Sequence, residues 1–269
     1  MNKYILATDL DGTLLKDDKT VSLDTKKIIH QMIKESHYFV IATGRPFHRI
    51  RPIIEDLDIK SDKNFCICFN GALITSTDES IVLYESKLKE SEVIELIDLS
   101  EQLNISIMVY LKDIILVDNI PSCIDYLNNL NCLKIVDGGK DILRKEKDVY
   151  KIIFIGSKDD LIDAKNKIPV HYFDKYNFTT SSDNYLEITS KHINKGNALI
   201  NLANLLNIDL NNTIAVGDEE NDLSMIKKAH LGCCVANANP FVKKQAKYIT
   251  LSNEEDGVKE IIKKFVLEK

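Results

Sequence analysis

Short apolar runs that end in polar turns are the main pattern in the first and last parts of the chain. Residues 4–8, 38–42 and 65–69 form nearly unbroken apolar runs, and a glycine-containing turn follows each of them. Runs of this length predict strands buried on both faces of a parallel sheet. After the first turn, Ser22 can cap a helix whose apolar residues recur at helical spacing. The pattern therefore predicts an α/β class built from strand–helix units.

The pattern changes near Leu83 and returns near residue 190. In between, a predicted helix over 89–103 precedes short predicted strands, a tight turn at Lys112-Asp113 joins the first two of them, and Ser157 can cap a second helix. The predicted strands cover residues 105–110, 114–117, 149–155, 170–173, 177–180 and 186–189. Alternation of helix and strand resumes with a predicted helix over 195–206 and a strand over 213–216. We therefore predict a core domain of residues 1–82 and 191–269, and a second, inserted α/β domain of residues 83–190.

Size and charge narrow the possible partners. The 269 residues are enough for two domains, and the net charge is −6 with basic residues scattered along the chain. We therefore expect no nucleic-acid partner. No apolar stretch approaches the length of a membrane span, so we expect a cytoplasmic protein without a membrane partner. The sequence carries no signal for an oligomeric state.

Cysteines and histidines give no metal-ligand pattern. The six cysteines lack paired Cys-x-x-Cys spacing, which favours buried free thiols; they are Cys66, Cys68, Cys123, Cys132, Cys233 and Cys234. We assign none of the six histidines to a metal.

Polar residues that suit phosphoryl chemistry follow the predicted strands or begin a helix. They are Asp9 with Asp11, Thr43 with Gly44, Lys195, and Asp218 with Asn221 and Asp222. Parallel strands place their carboxyl ends at one edge of a sheet, so these groups should converge there. Carboxylates suit Mg²⁺, while a lysine and hydrogen-bond donors suit a phosphoryl group. Taken singly, Thr43 and Asn221 could instead cap helices, and Lys195 could be a solvated residue of a first helical turn. Asp222 could instead stabilise a helix by lying in its first turn, a role that needs no metal.

The four clusters, in this order, resemble the four motifs of the haloacid-dehalogenase-like phosphatase superfamily, and the Cof-like subfamily fits best. Further similar segments are Asn70-Gly71-Ala72 and Glu254-x-Asp256-Gly257-Val258. The resemblance implies a Rossmann-like parallel-sheet core with an inserted α+β cap domain that confers substrate specificity. It covers nearly the whole chain and is least specific in the cap.

The resemblance also implies a role for each matching residue. Asp9 would attack phosphorus and become an aspartyl-phosphate, and Asp11 would act as general acid and base. Mg²⁺ would be held by Asp9, the backbone carbonyl of Asp11 and Asp218, with Asp222 in support. Phosphate would be bound by Thr43, Gly44, Lys195, Asn221 and the backbone N–H of Leu10. One departure is Ala236, where the family usually has glycine, and a positive φ there would strain alanine and weaken a ligand role for Asn237.

The leading hypothesis is a magnesium-dependent phosphatase of small phosphorylated metabolites, with sugar phosphates as the expected class. Two alternatives stay open. A phosphosugar mutase would move phosphate between hydroxyls of one sugar, and a phospho-ligand sensor would bind without turnover. The intact pair Asp9 and Asp11 argues against a sensor, because binding alone has no chemical need for both.

Overall fold

The computed structural model describes residues 3–118 and 134–268, which form two compact units. Unit 1 contains Met1–Arg45, Ile50–Glu85 and Asn194–Lys269, and unit 2 contains Pro46–Arg49 and Ser86–Ile193. The sequence-based boundary at residue 83 falls inside a strand of unit 1, Val82–Glu85. That unit 2 confers substrate specificity stays a prediction.

Unit 1 combines one sheet with helices. Its strands are β1 (Ile5–Thr8), β2 (Tyr38–Ala42), β3 (Phe65–Cys68), β4 (Leu73–Ser76), β5 (Val82–Glu85), β12 (Thr213–Gly217), β13 (Leu231–Cys234) and β14 (Tyr248–Ile249). Its helices are α1 (Leu23–Lys34), most of α2 (Phe47–Asp56), α7 (Lys195–Leu205), α8 (Leu223–Lys228), α9 (Pro240–Lys243) and α10 (Gly257–Ile262). Short 3₁₀ turns cover Phe69–Gly71, Leu210–Asn212 and Glu220–Asp222, and a π-helical turn, Lys263–Leu267, follows α10.

The strands of unit 1 form one sheet in the order β14-β13-β12-β1-β2-β3-β4-β5 across the described residues. Pairing is parallel from β14 to β3 and antiparallel at β3–β4 and β4–β5. β1 lies between β12 and β2, with Thr8 opposite Val216 and Ile41. The carboxyl ends of β1, β2 and β12 therefore meet at one edge, and the polar turns that follow them lie there.

Apolar side chains on the strands explain why this sheet is buried. Residues of β1 such as Ile5 and Ala7 pack in one cluster with Leu199 and Leu202 of α7. Their neighbours on the other face, such as Leu6 and Phe39, are also fully buried. Helix α1 begins where expected, because the Ser22 side chain accepts a hydrogen bond from the Thr25 N–H. The fold class predicted from these runs is confirmed.

Unit 2 has its own sheet and its own core. Its strands are β6 (Ser106–Tyr110), β7 (Ile114–Val117), β8 (Lys134–Asp137), β9 (Lys151–Ile155), β10 (Tyr176–Ser182) and β11 (Tyr185–Ser190), in the order β10-β11-β9-β6-β7-β8 within the described ranges. Its helices are α3 (Glu90–Gln102), α4 (Gly139–Leu143), α5 (Lys158–Lys167) and α6 (Tyr172–Lys175). One strand face carries Ile107, Ile152 and Phe154 into the core. The other carries the ion pair of the buried Lys151 with the partly buried Glu187, at 3.1 Å.

One predicted strand of unit 2 is wrong. Residues 170–173 were expected to be extended, but Tyr172 and Phe173 begin helix α6. The reason is local, because the Pro169 carbonyl accepts the Tyr172 N–H and the Val170 carbonyl accepts the Phe173 N–H. Pro169 has a fixed φ that suits such a turn, and this outweighs the short apolar run.

The cysteine prediction is confirmed where the structure describes it. Cys66, Cys68, Cys233 and Cys234 are buried free thiols, while Cys123 and Cys132 lie outside the described residues. Over residues 3–118 and 134–268, the structure has no helix with the length and apolarity that a membrane crossing requires.

The close contact between α7 and α8 depends on a residue without a side chain. A Cβ built on Gly196 would clash with the backbone oxygen of Ser224, and the backbone of α8 would have to move to relieve the clash. We expect Gly196→Ala to lower the free energy of unfolding by about 1 to 3 kcal/mol, because overpacking outweighs alanine's better helix propensity. Urea unfolding measures this, with Asn204→Ala on the exposed side of α7 as the control. Equal stability of both variants would contradict the expectation.

Candidate active site

The turn after β1 carries Asp9 to the carboxyl edge of the sheet. The Asp9 N–H still donates to Val216 of β12 at 2.9 Å, so the ladder holds its backbone, and its side chain is buried. Leu10 is fully buried, and its carbonyl accepts the N–H groups of Leu14 and Leu15. Gly12 has a φ of 76°, which favours glycine. These contacts form a tight turn directly after Asp9 and keep Asp9 at the carboxyl edge of the sheet.

Lys195 is the charged centre of the site. It begins α7, which Asn194 caps by accepting the Asn197 N–H, and it has 0% exposed surface. Its Nζ lies 2.6 Å from an oxygen of Asp9 and 2.6 Å from an oxygen of Asp222. Burial alone lowers a lysine pKa, but the two carboxylates outweigh it and raise the pKa of Lys195. The ammonium group therefore stays charged and holds two carboxylates together.

Asp222 and Thr13 fix the orientation of the acidic turn after β12. One Asp222 oxygen accepts from Lys195, and the other accepts the backbone N–H groups of Asp218 and Glu219. The Thr13 hydroxyl donates to Asp218 at 2.6 Å. Both oxygens of Asp222 therefore have donors, which suits an orienting group better than a metal ligand. Thr13 was not predicted, because its partner lies 205 residues away.

Two buried carboxylates, Asp9 and Asp218, are the candidate metal ligands, and Asp222 lies beside them. Asp9, Asp218 and Asp222 each place an oxygen within 4.8 Å of the others. Burial raises the pKa of Asp9 and of Asp218 to about 7, with Asp222 adding to both through repulsion; Lys195 opposes the rise at Asp9, and the Thr13 hydrogen bond opposes it at Asp218. A divalent cation stabilises the ionised form of carboxylates that lie this close together, and Mg²⁺ prefers hard oxygen ligands. The donor set therefore fits Mg²⁺.

Asp11 lies outside that group of three carboxylates and pairs with cations. The Arg45 guanidinium donates to both of its oxygens, with Nε 2.8 Å and Nη2 2.5 Å away, and Lys19 donates at 3.1 Å. Although burial raises the pKa of Asp11, Arg45 and then Lys19 lower it, and the net shift is downwards. A bidentate pair therefore fixes the Arg45 side chain to Asp11.

The predicted phosphate-binding groups of β2 and the β12 turn meet at Asn70. Thr43 is buried and its hydroxyl accepts the Arg45 N–H at 3.1 Å. A Cβ on Gly44 would lie 3.1 Å from the Asn70 side chain, and the Asn221 amide donates to Asn70 at 3.4 Å. Asn70 adopts a φ of 56°, which asparagine tolerates better than most residues. Gly44 and Asn221 therefore both lie next to the Asn70 side chain, for which the sequence predicted no separate role.

Ala236 is free of the expected backbone strain, since its φ lies outside the positive region. The neighbouring Asn237 side chain is bonded at both ends. Its amide donates to the Gly12 carbonyl at 2.7 Å, and its oxygen accepts the Asn253 N–H at 3.0 Å. Asn237 therefore contacts the turn after β1.

Comparisons with known proteins find similar sequences and similar folds over nearly the whole chain. A profile described as haloacid dehalogenase-like hydrolase matches residues 6–262. Protein M6_Spy0533 of Streptococcus pyogenes, provisionally named a phosphatase, is 32% identical over 99% of this chain and 100% of its own length. The Bacillus subtilis 5-amino-6-(5-phospho-D-ribitylamino)uracil phosphatase YcsE is 31% identical over 98% of this chain and 96% of its own. The crystal structure of a haloacid dehalogenase-like hydrolase from Bacteroides thetaiotaomicron superposes with a TM-score of 0.84, at 30% identity over 97% of this chain and 99% of that one.

The buried charges predict strong coupling between Lys195 and Asp222. We expect Lys195→Met to lower the free energy of unfolding by about 3 to 5 kcal/mol, since both carboxylates lose their buried cation. Combining it with Asp222→Asn should cost less than the sum of the two single changes, because the unpaired charge is then removed. Urea unfolding of the four proteins measures the coupling.

The control for this cycle is Lys227→Met, which removes an exposed lysine of α8 and should change the free energy of unfolding by less than about 0.5 kcal/mol. Strictly additive losses at Lys195 and Asp222 would contradict the coupling.

Proposed function

We propose that this chain, which belongs to the haloacid dehalogenase-like hydrolase family, is a magnesium-dependent phosphatase of small phosphorylated metabolites. One observation carries the proposal. Asp9 stands at the carboxyl end of the central strand β1, held by the buried Lys195 and within 4.8 Å of Asp218. A carboxylate fixed beside a cation and a second carboxylate fits a nucleophile that works next to a metal.

Asp9 is the proposed nucleophile. Its free carboxylate oxygen attacks phosphorus, the bond from phosphorus to the ester oxygen breaks, and an aspartyl-phosphate remains on Asp9. The departing alkoxide takes a proton from Asp11. Asp11 then removes a proton from water, whose oxygen attacks the same phosphorus and returns Asp9 as a carboxylate. The products are the alcohol and inorganic phosphate.

The pairing of Asp11 with Arg45 bears on these proton transfers. With Arg45 and Lys19 beside it, the pKa of Asp11 is lowered, so its carboxylate is in the form that a general base needs. The general-acid role needs a proton on Asp11. We propose that this state arises when the guanidinium of Arg45 is no longer paired with Asp11, as an arriving anionic phosphate would favour.

Asp9, Asp218 and the backbone carbonyl of Asp11 are the proposed Mg²⁺ ligands, with Asp222 orienting the acidic turn. Bound Mg²⁺ would neutralise phosphate charge and allow an anionic carboxylate to approach phosphorus. Lys195, Thr43, Gly44, Asn221 and the N–H of Leu10 are the proposed phosphate-binding groups. Together they supply a cation and hydrogen-bond donors for the oxygens of a transferring phosphoryl group.

For the substrate we propose phosphate monoesters of sugars and sugar-derived polyols. The YcsE relative is named for a substrate with a phosphorylated ribityl chain, which is such a polyol ester. Unit 2, the proposed cap, would determine which organic group is accepted. The buried free thiols suit a reducing compartment, so we propose that the enzyme works in the cytoplasm.

Phosphate release from a panel of sugar phosphates, polyol phosphates and p-nitrophenyl phosphate tests the proposal. We expect release to require Mg²⁺ and to fall by roughly a thousandfold or more in Asp9→Asn, since the amide cannot attack phosphorus. Asp24→Asn, an exposed change on α1, is the matched control and should keep full activity.

Three outcomes of that panel would contradict the proposal. Normal activity of Asp9→Asn would exclude the nucleophile, and an isomeric sugar phosphate in place of free phosphate would indicate a mutase. Tight binding of phosphorylated compounds with no turnover would indicate a sensor.

A further inference from the structure

Asn237 and Asn253 connect the turn after β1 to two distant loops. The Asn237 amide donates to the Gly12 carbonyl at 2.7 Å, and its oxygen accepts the Asn253 N–H. Asn253 is 5% exposed, and its own side chain donates to the Leu15 carbonyl at 3.1 Å and to Asp17 at 3.2 Å. Two asparagines therefore hold the turn at two successive points.

The same segment also touches the acidic turn after β12. The Asn239 N–H donates to the Asp218 carbonyl at 2.9 Å. Residues 237–239 thus bond to both turns that carry the proposed Mg²⁺ ligands, one through a side chain and one through the backbone. The two turns also meet directly, since a Cβ on Gly12 would lie 2.5 Å from an oxygen of Asp218.

The turn after β1 needs this restraint because Gly12, at its centre, allows more backbone conformations than other residues do. Gly12 has access to both signs of φ, so rotation about this residue can redirect the carbonyl of Asp11 before it and the side chain of Thr13 after it. The observed φ of 76° is one of several that glycine can adopt. A hydrogen bond to the Gly12 carbonyl selects one arrangement. In that arrangement the Thr13 hydroxyl reaches Asp218 at 2.6 Å.

We propose that Asn237 is a positioning residue that holds the Gly12 turn in the arrangement that binds Mg²⁺. The inference rests on the proposed function, in which the Asp11 carbonyl and Asp218 are ligands. Asn237 acts through the backbone of Gly12 and touches neither metal nor substrate. Asn253 supports it by tying the same loop to Leu15 and Asp17.

Calorimetric titration of the full chain with Mg²⁺ alone tests the inference. We expect Asn237→Ala to weaken Mg²⁺ binding by about tenfold, the equivalent of one lost hydrogen bond of about 1.4 kcal/mol. Asn237 is exposed, so the variant should fold. Thermal unfolding without Mg²⁺ verifies this, and the rise of Tm with added Mg²⁺ gives a second measure of affinity. At saturating Mg²⁺, KM for the best panel substrate should match the wild type.

Asn211→Ala is the matched control. It removes an exposed asparagine side chain of the 3₁₀ turn Leu210–Asn212, which precedes β12 at the end of the strand away from Asp218, and it should leave the Mg²⁺ Kd unchanged. An Asn237→Ala protein with wild-type Mg²⁺ affinity would overturn the positioning role alone. A wild-type chain that binds no Mg²⁺ would overturn the proposed function and this inference together.

Discussion

The ammonium group of Lys195, buried between Asp9 and Asp222, is the interaction on which the candidate site depends. It joins the end of β1 to the turn after β12 through two contacts of 2.6 Å, and Lys195 itself has no exposed surface. An uncompensated charge at such a depth costs several kcal/mol, so each of the three groups requires the others. The sheet brings the backbones together, and this charge cluster determines how their side chains face one another.

The carboxylates of the site differ in their hydrogen-bond partners and in their pKa values. Asp222 has donors for both oxygens and orients its neighbours, whereas Asp9 and Asp218 have a pKa raised to about 7, chiefly by burial. Asp11 is half-exposed and paired with Arg45. Two acids two residues apart thus have opposite electrostatic environments, which is the condition for different chemical roles.

Sequence alone predicted the elements whose signals are local. It identified the apolar runs of β1, β2 and β12 and the Ser22 cap of α1, because the signals for strand burial and helix capping depend on residues close together in the chain. Convergence of the polar groups followed from the rule that parallel strands share a carboxyl edge. Helix α6 was missed because the apolar run of residues 170–173 suggested a strand, whereas the turn that begins at Pro169 starts a helix there. The contacts of Thr13, Arg45, Asn70 and Asn237 were also missed, because each joins residues that are distant in the chain and only the folded sheet brings them together.

The covalent role of Asp9 is the central claim, and chemical trapping during turnover tests it most directly. Borohydride reduces an acyl-phosphate to an alcohol, so a chain quenched with borohydride while hydrolysing its best substrate should carry homoserine at position 9. Peptide mass spectrometry reads this position, and the same chain without substrate should keep aspartate there. Turnover with residue 9 unchanged and the phosphoryl group on another side chain would contradict the account.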